Sequence, residues 1–228
     1  MENLRFNPNE RANNPEFAKE LAKHGDFYVN ESFANSHREH ASIVSLPKLL
    51  PHACGIRFCE EVENLQRVFE EPKRPVLALV SGVKEDKLSY INDFKRFADK
   101  ILIGGRLPDH FEDSKDPKLL VARLVPDKED ITLNSVEAFE EEIAKAATIV
   151  LSGPVGRFED EGHRQGTERV FKAIAKSGAF KVAGGGDTRN AISTVGVTEA
   201  FDWISVGGGA MLDFLAHGTL PGIEALIN

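Results

Sequence analysis

The sequence predicts an α/β protein with a parallel, Rossmann-like sheet in its C-terminal part and a partial α/β domain before it. Five short apolar runs follow residue 72, and each ends in glycine: "PVLALVSG", "KILIGG", "ATIVLSG", "FKVAGG" and "WISVGG". They are rich in Val, Ile and Leu without polar alternation, as expected of strands that are covered on both faces. Helix-like segments separate most of them, which is typical of parallel strands joined by crossovers.

The segments between the strands carry helix signals. Ser135 is expected to open the helix "SVEAFEEEIAKA", and "GTERVFKAIAKSG" is expected to close at Lys176 and Gly178. The stretch from Arg106 to Asp130 is polar and interrupted by proline, so we expect only one short strand there, around Leu119 to Val125.

The first part of the chain is organised differently. A helix-like "NPEFAKELAKHG", a strand-like "FYVN" and a polar turn "ESFANSHREHAS" make up part of an α/β unit. The charged helix "CEEVENLQRVFEEPKRP" ends in a proline-containing link and is a candidate interdomain connector. We therefore divide the chain near Pro72, into residues 1–72 and 73–228.

Composition excludes some classes of function. The 28 Lys and Arg residues stand against 36 Asp and Glu, a net charge of -8, which argues against a nucleic-acid or anionic-membrane surface but allows a local cationic site. No apolar run is long enough to span a bilayer, and the N-terminus lacks the order of a signal peptide, so a cytoplasmic location is expected. Cys54 and Cys59 match neither a zinc spacing nor a disulfide framework, and we expect them to be reduced.

The glycines suggest an anion-binding rim. Because parallel strands end at the same edge of a sheet, the five glycine exits should converge on one crevice. In "AGGGDT" the glycine amides would face phosphate oxygens and Asp187 would bind Mg²⁺; the structural alternative is a tight turn with Asp187 as the N-cap. Gly207, Gly208 and Gly209 precede "AMLDFLAHG" and would stabilise a transferring phosphoryl group, or else form a close-packed turn.

Other polar residues follow the strand exits. Lys84 and Lys87 lie just beyond the first one, where they would reach phosphates or else form a solvated face. Gly153, Pro154 and Gly156 shape a further turn. After it, Glu159 is either a partner of ribose hydroxyls or a surface acid.

The N-terminal part supplies a second set of basic residues. Arg5 and Arg38, if the fold brings them together, would make a small-anion site; each alone is more typical of a surface charge. His37 and His40 lack a third donor nearby in the sequence, so a metal site is not expected there.

Together, and in this order, these stretches resemble the phosphoglycerate kinase family. The matching pieces are "ENLRFNPNE", "GDFYVNESFANSHREHAS", "RFCEEVENL", "SGVKEDK", "LIGG", "SGPVGRFE", "GGGDT", "VGGGAMLDFL" and "LPGIEAL". The resemblance implies two α/β domains joined by a hinge helix. It further implies 3-phosphoglycerate on the N-terminal domain, Mg-ATP or Mg-ADP on the C-terminal one, and domain closure for phosphate transfer in glycolysis.

The resemblance also implies roles for individual residues. Arg5 and Arg38 would bind 3-phosphoglycerate. Lys84, Lys87, Gly207, Gly208 and Gly209 would act in phosphate transfer. The nucleotide would be bound by Gly82, Gly104, Gly105, Pro154, Gly156, Glu159, Gly185, Gly186, Asp187 and Thr188, with Asp187 also holding the metal.

The chain departs from the family pattern in places. It starts after the family's Asp-x-Asn and His-Leu-Gly-Arg-Pro motifs, so much of the first domain is expected to be missing. Ser152, Met211 and Arg106 replace typical Asn, Ser and Gly residues. Two alternatives to the enzyme therefore stand: a nucleotide-binding module without catalysis, and a fragment completed by a complementary N-terminal segment or by self-association.

Overall fold

The structure, a computed structural model, describes residues 2–111 and 114–227. Within them the strands are β1 Tyr28–Asn30, β2 His52–Cys54, β3 Val76–Val80, β4 Lys100–Ile103, β5 Leu119–Val121, β6 Thr148–Ser152, β7 Phe180–Gly184 and β8 Trp203–Ser205. The α-helices are α1 Pro8–Arg11, α2 Pro15–Ala22, α3 Ile56–Gln66, α4 Tyr90–Phe94, α5 Leu133–Lys145, α6 Gln165–Lys176, α7 Gly186–Val195, α8 Gly208–His217 and α9 Pro221–Glu224.

The chain divides into two compact units. Unit 1 comprises residues 1–65 and 209–228, and unit 2 comprises residues 66–208. This division differs from the expected 1–72 and 73–228, because the C-terminal segment packs within unit 1. There the Phe214 ring meets Phe33 edge-on at 6.1 Å between centroids, and Gly222 N donates to Ser36 O at 2.9 Å.

Unit 2 is the predicted parallel α/β sheet. Its strands lie in the order β5-β4-β3-β6-β7-β8, and every neighbouring pair is parallel. All residues of β3 and β6 are buried, so helices and loops cover both faces of the sheet centre. The chain builds one half of the sheet outward from β3 and then returns to build the other half from β6. The topological switch point therefore lies between β3 and β6.

The core of unit 2 explains why these residues form these elements. Leu77 and Leu79 of β3 pack in one buried cluster with Phe139 of α5 and Phe171 of α6. The predicted short strand in the polar middle stretch is confirmed as β5. Ser135 does not open α5: the N-cap is Thr132, whose side chain accepts the Ser135 amide, so the helix begins two residues before Ser135.

Unit 1 has a two-stranded parallel sheet, β1 with β2. The predicted helix and the strand "FYVN" are confirmed as α2 and β1, whereas β2 was not predicted. Asn14 caps α2 by accepting the amides of Glu16 and Phe17. The expected connector helix is α3, which ends at Gln66, before the proline-containing link.

The expectation of two reduced cysteines is wrong in the structure. Cys54 and Cys59 form a disulfide. The last residue of β2 is Cys54 and α3 begins at Ile56, so the chain turns sharply through Gly55, whose amide donates to Asn30 O at 2.8 Å. That turn brings the two cysteine Cα atoms to 6.2 Å. The spacing of the two cysteines in the sequence does not reveal this turn, and so does not predict the disulfide.

Among the described residues, no helix is both long enough and apolar enough to cross a bilayer.

Candidate active site

The glycine exits of β3, β4 and β6 meet at one edge of the unit 2 sheet, as the sequence predicts. Arg106 N donates to Gly82 O at 3.0 Å, and Gly105 N donates to Val155 O at 3.2 Å. Ser81 Oγ, at the end of β3, donates to Pro154 O at 2.6 Å. The three loops are thus bonded directly to one another at the carboxyl ends of the strands, the location at which open α/β sheets bind ligands.

Two of these glycines are required by geometry. Gly105 has φ +61°, and a Cβ there would lie 2.4 Å from Gly82 N. Gly153 has φ +106°, and a Cβ there would lie 2.0 Å from Ser81 O. Any larger residue would push the loops apart, so glycine allows the close approach.

The β7 exit joins the same cluster through Thr188. This side chain is 2% exposed, accepts the Gly153 amide at 2.9 Å and donates to Gly184 O at 2.8 Å. Its hydroxyl is therefore engaged within the protein. The hydroxyl tethers the β6 exit to α7, and the expected role of Thr188 in binding nucleotide stays a prediction.

Asp187 lies in the first turn of α7 and is exposed. The N-cap of α7 is Gly185, with φ +103° and no side-chain cap, so the N-cap alternative for Asp187 is wrong. The negative charge of Asp187 acts on Lys87, whose pKa it raises. The first N–H groups of a helix lack intrahelical partners, so Gly186 and its neighbours present donors beside this carboxylate.

Lys87 lies at the switch point. Its Nζ donates to Ser81 O at 2.6 Å and to Ser152 O at 3.2 Å, so the ammonium lies between the ends of β3 and β6. Burial lowers the pKa of Lys87 to about 8, while the charge of Asp187 acts in the opposite direction. Lys87 is not part of a solvated face. Lys84, in contrast, is exposed at the N-cap of a short 3-10 helix.

The three glycines of the second triplet, Gly207 to Gly209, differ in their contacts. Gly207 N donates to Ser205 Oγ at 3.3 Å, and α8 begins at Gly208. A Cβ on Gly208 would lie 2.6 Å from Gly185 Cα, so the close-packing alternative describes Gly208. Within unit 1, a Cβ on Gly209 would lie 3.5 Å from His37 Nε2.

Unit 1 gathers the predicted basic residues around His40. The pKa of His40 is lowered first by burial and then by the positive charges of Arg38, Arg5 and Arg11, although Glu10 opposes this. Arg5 and Arg38 are both exposed, and the positive charge of each lowers the pKa of the same imidazole; their joint anion site stays a prediction. Arg38 Nε also donates to His37 Nε2 at 3.2 Å.

The structure adds residues that the sequence does not single out. Glu129 pairs with Arg106, the residue that replaces a family glycine, and lies 3.9 Å from the Arg157 guanidinium. Asp130 is buried behind Gly156. Both lie in the polar middle stretch, whose sequence carries no motif that would mark them. Glu159 is exposed, as either of its two interpretations requires.

Comparison with known proteins decides the family. The family model described as "Phosphoglycerate kinase" matches residues 1–119 and 119–218. The chain belongs to the phosphoglycerate kinase family. It is 36% identical over 273 residues to phosphoglycerate kinase of Solibacter usitatus and 34% identical over 278 residues to that of Dictyoglomus turgidum. In each case 99% of this chain matches 70% of the relative.

Solved structures agree with the sequence relatives. A phosphoglycerate kinase from Pyrococcus horikoshii has a TM-score of 0.84 and 30% identity, covering 99% of this chain and 71% of that one. One from Coxiella burnetii has a TM-score of 0.82 and 28% identity, covering 98% and 72%. The predicted α/β fold and the predicted kinase family are therefore confirmed, and the chain is a phosphotransferase of this family.

Proposed function

We propose that this chain transfers a phosphoryl group between ATP and 3-phosphoglycerate, giving 1,3-bisphosphoglycerate and ADP. The observation that carries the proposal is the set of bonded strand exits in unit 2, with the Lys87 ammonium at the switch point and the Asp187 carboxylate beside a helix N-terminus. A half-buried cation, the amide donors of a helix N-terminus and an exposed carboxylate are the groups that a metal-bound polyphosphate requires.

The residues fit Mg²⁺ together with a nucleotide. Asp187 would hold the metal, which accepts carboxylate and phosphate oxygens and would neutralise charge on the phosphates when bound. Gly185 and Gly186 would offer amides to phosphate oxygens. The remaining nucleotide contacts are proposed for Gly82, Gly104, Gly105, Pro154, Gly156 and Glu159, while Thr188 positions the loop that carries Gly153.

Lys87 is the residue we propose to stabilise charge during transfer. Its ammonium already has two carbonyl acceptors, so little reorganisation is needed when an anion approaches. Lys84, Gly207, Gly208 and Gly209 would add positive charge and amide donors. Catalysis would then rest on positioning and electrostatics, with no covalent intermediate on the protein.

The acid substrate is proposed for unit 1. Arg5 and Arg38 carry planar guanidinium groups suited to carboxylate and phosphate oxygens, and both influence His40. A cytoplasmic location and small-molecule partners, without nucleic acid or membrane, complete the proposal. The net charge of -8 supports the exclusion of nucleic acid. The non-catalytic module and the fragment that needs a complementary segment are not favoured over the enzyme.

A coupled assay tests the proposal. ATP-dependent phosphorylation of 3-phosphoglycerate is measured for the purified chain and for Arg38→Ala and Asp187→Ala. We expect Arg38→Ala to raise KM for 3-phosphoglycerate, and Asp187→Ala to abolish magnesium-dependent ADP binding measured by calorimetry. Asp202→Ala is the matched control, because its carboxylate accepts the Lys181 amide at 2.7 Å at the opposite ends of the strands. Wild-type protein that binds Mg-ADP but phosphorylates nothing would favour the non-catalytic module.

A further inference from the structure

Asp130 is a buried carboxyl group with no role in the family resemblance. It lies in the turn 127–130, between β5 and α5, next to an isolated antiparallel bridge that joins Leu124 to Ile131. Its side chain is 6% exposed, and burial raises its pKa. Burying a carboxyl group is costly unless it is hydrogen-bonded, so its partners indicate what it does.

The partners of Asp130 tie two segments together. Oδ2 accepts the amide of Gly166 at 2.9 Å, and Oδ1 accepts the amide of Ile131 at 2.8 Å. Gly166 lies in the first turn of α6, where backbone donors have no intrahelical acceptor and negative charge is favoured. The carboxyl group therefore fixes the start of α6 to the turn 127–130.

The same carboxyl group supports the loop that follows β6. A Cβ on Gly156 would lie 2.3 Å from Asp130 Oδ1, so this oxygen is in direct contact with the Gly156 backbone. Gly156 N donates to Thr167 Oγ1 at 3.1 Å, and Arg157 N donates to Glu129 O at 2.7 Å. The turn 127–130 and α6 therefore both contact this loop. Near its start, Pro154 O accepts a hydrogen bond from Ser81.

We propose that Asp130 is a positioning residue for the nucleotide loop, residues 153–159. The inference rests on the proposed function. Asp130 touches neither nucleotide nor acid; it sets the position of Gly156, and through it that of Glu159, relative to the other strand exits. Its loss should weaken binding of the magnesium–nucleotide complex and leave binding of the acid substrate in unit 1 unchanged.

The test compares Asp130→Ala with Asp202→Ala. Both variants remove a carboxylate that accepts a backbone amide in unit 2, but Asp202 lies at the opposite ends of the strands. Steady-state kinetics give KM for Mg-ATP and for 3-phosphoglycerate, and thermal unfolding gives Tm. Because Asp130→Ala loses both amide contacts that hold the turn and α6 beside Gly156, we expect it to raise KM for Mg-ATP about tenfold, with KM for 3-phosphoglycerate unchanged. Asp202→Ala should lower Tm and leave both KM values unchanged.

Asp130→Asn provides the second variant. It keeps the side-chain shape and one acceptor oxygen, so a smaller rise in KM for Mg-ATP is expected, and it decides the matter if Asp130→Ala does not fold. Equal KM changes for both substrates, or an unchanged KM for Mg-ATP in an active wild-type background, would overturn the positioning role alone. A wild-type chain without nucleotide binding would overturn the proposed function and this inference together.

Discussion

Replacing Thr188 by valine should separate the β6 exit loop from α7. Valine has nearly the same shape but no hydroxyl. In the wild-type protein that hydroxyl is buried, accepts the Gly153 amide at 2.9 Å and donates to Gly184 O at 2.8 Å. The variant therefore loses both hydrogen bonds and leaves the Gly153 N–H buried without an acceptor.

The expected cost follows from these two contacts. A buried donor without a partner costs about 1–3 kcal/mol. In a chain of this size, each kcal/mol lowers Tm by about 2–4 °C, so we expect Thr188→Val to lower Tm by about 2–12 °C. Because Gly153 would leave its position beside Ser81, the affinity for Mg-ADP should also fall.

Thr188→Ser is the matched control for this measurement. It keeps the hydroxyl and loses one buried methyl group, at a cost of about 1 kcal/mol. Differential scanning calorimetry gives Tm, and isothermal titration gives the Mg-ADP affinity. If valine and serine lower Tm equally, or if Thr188→Val binds Mg-ADP as tightly as wild type, the tethering role of the hydroxyl is wrong.

Three further predictions concern charge and backbone geometry. The pKa of Lys87 is about 8 in the folded protein, so the unfolded chain binds more protons than the folded chain between about pH 8 and 10.5. The free energy of unfolding of the wild-type protein, measured in urea, should therefore rise with pH over that window, whereas that of Lys87→Met should not. His163 donates hydrogen bonds to the carboxylates of Asp160 and Asp127, which raise its pKa. The stabilisation by His163 is therefore complete below about pH 6.5 and is lost as pH rises through the raised pKa, so the Tm difference between wild type and His163→Gln should shrink as pH rises above about 6.5. Gly105→Ala should lower Tm because φ is +61° and the new Cβ would lie 2.4 Å from Gly82 N. Gly178→Ala should leave Tm unchanged because no atom lies within 4 Å of its new Cβ, and equal Tm values for the two variants would contradict the steric argument.

Much of unit 2 follows from local sequence patterns. Apolar runs ending in glycine identify β3, β4, β6, β7 and β8, because strands buried on both faces need no polar alternation. Parallel direction then places all their exits at one edge, which is why the convergence of Gly82, Gly105 and Gly153 could be predicted.

Local sequence patterns do not predict contacts between residues that lie far apart in the sequence. The return of residues 209–228 to unit 1 depends on contacts such as Phe214 with Phe33, which no local period encodes. The Cys54–Cys59 disulfide depends on the sharp turn at Gly55. Asp130 and Thr188 each accept a hydrogen bond from a residue 35 or more positions away, so neither their residue type nor their immediate neighbours reveal these partners.

Amide hydrogen exchange with and without Mg-ADP reports which backbone segments the nucleotide protects, and so shows whether it binds at the glycine exits of the unit 2 sheet. We expect slower exchange at the carboxyl ends of the strands, in residues 82–87, 104–107, 153–159 and 185–189, and no change at the strand starts, in residues 99–100 and 202–203. Protection confined to the strand starts or to unit 1, or no protection at saturating Mg-ADP, would contradict this expectation.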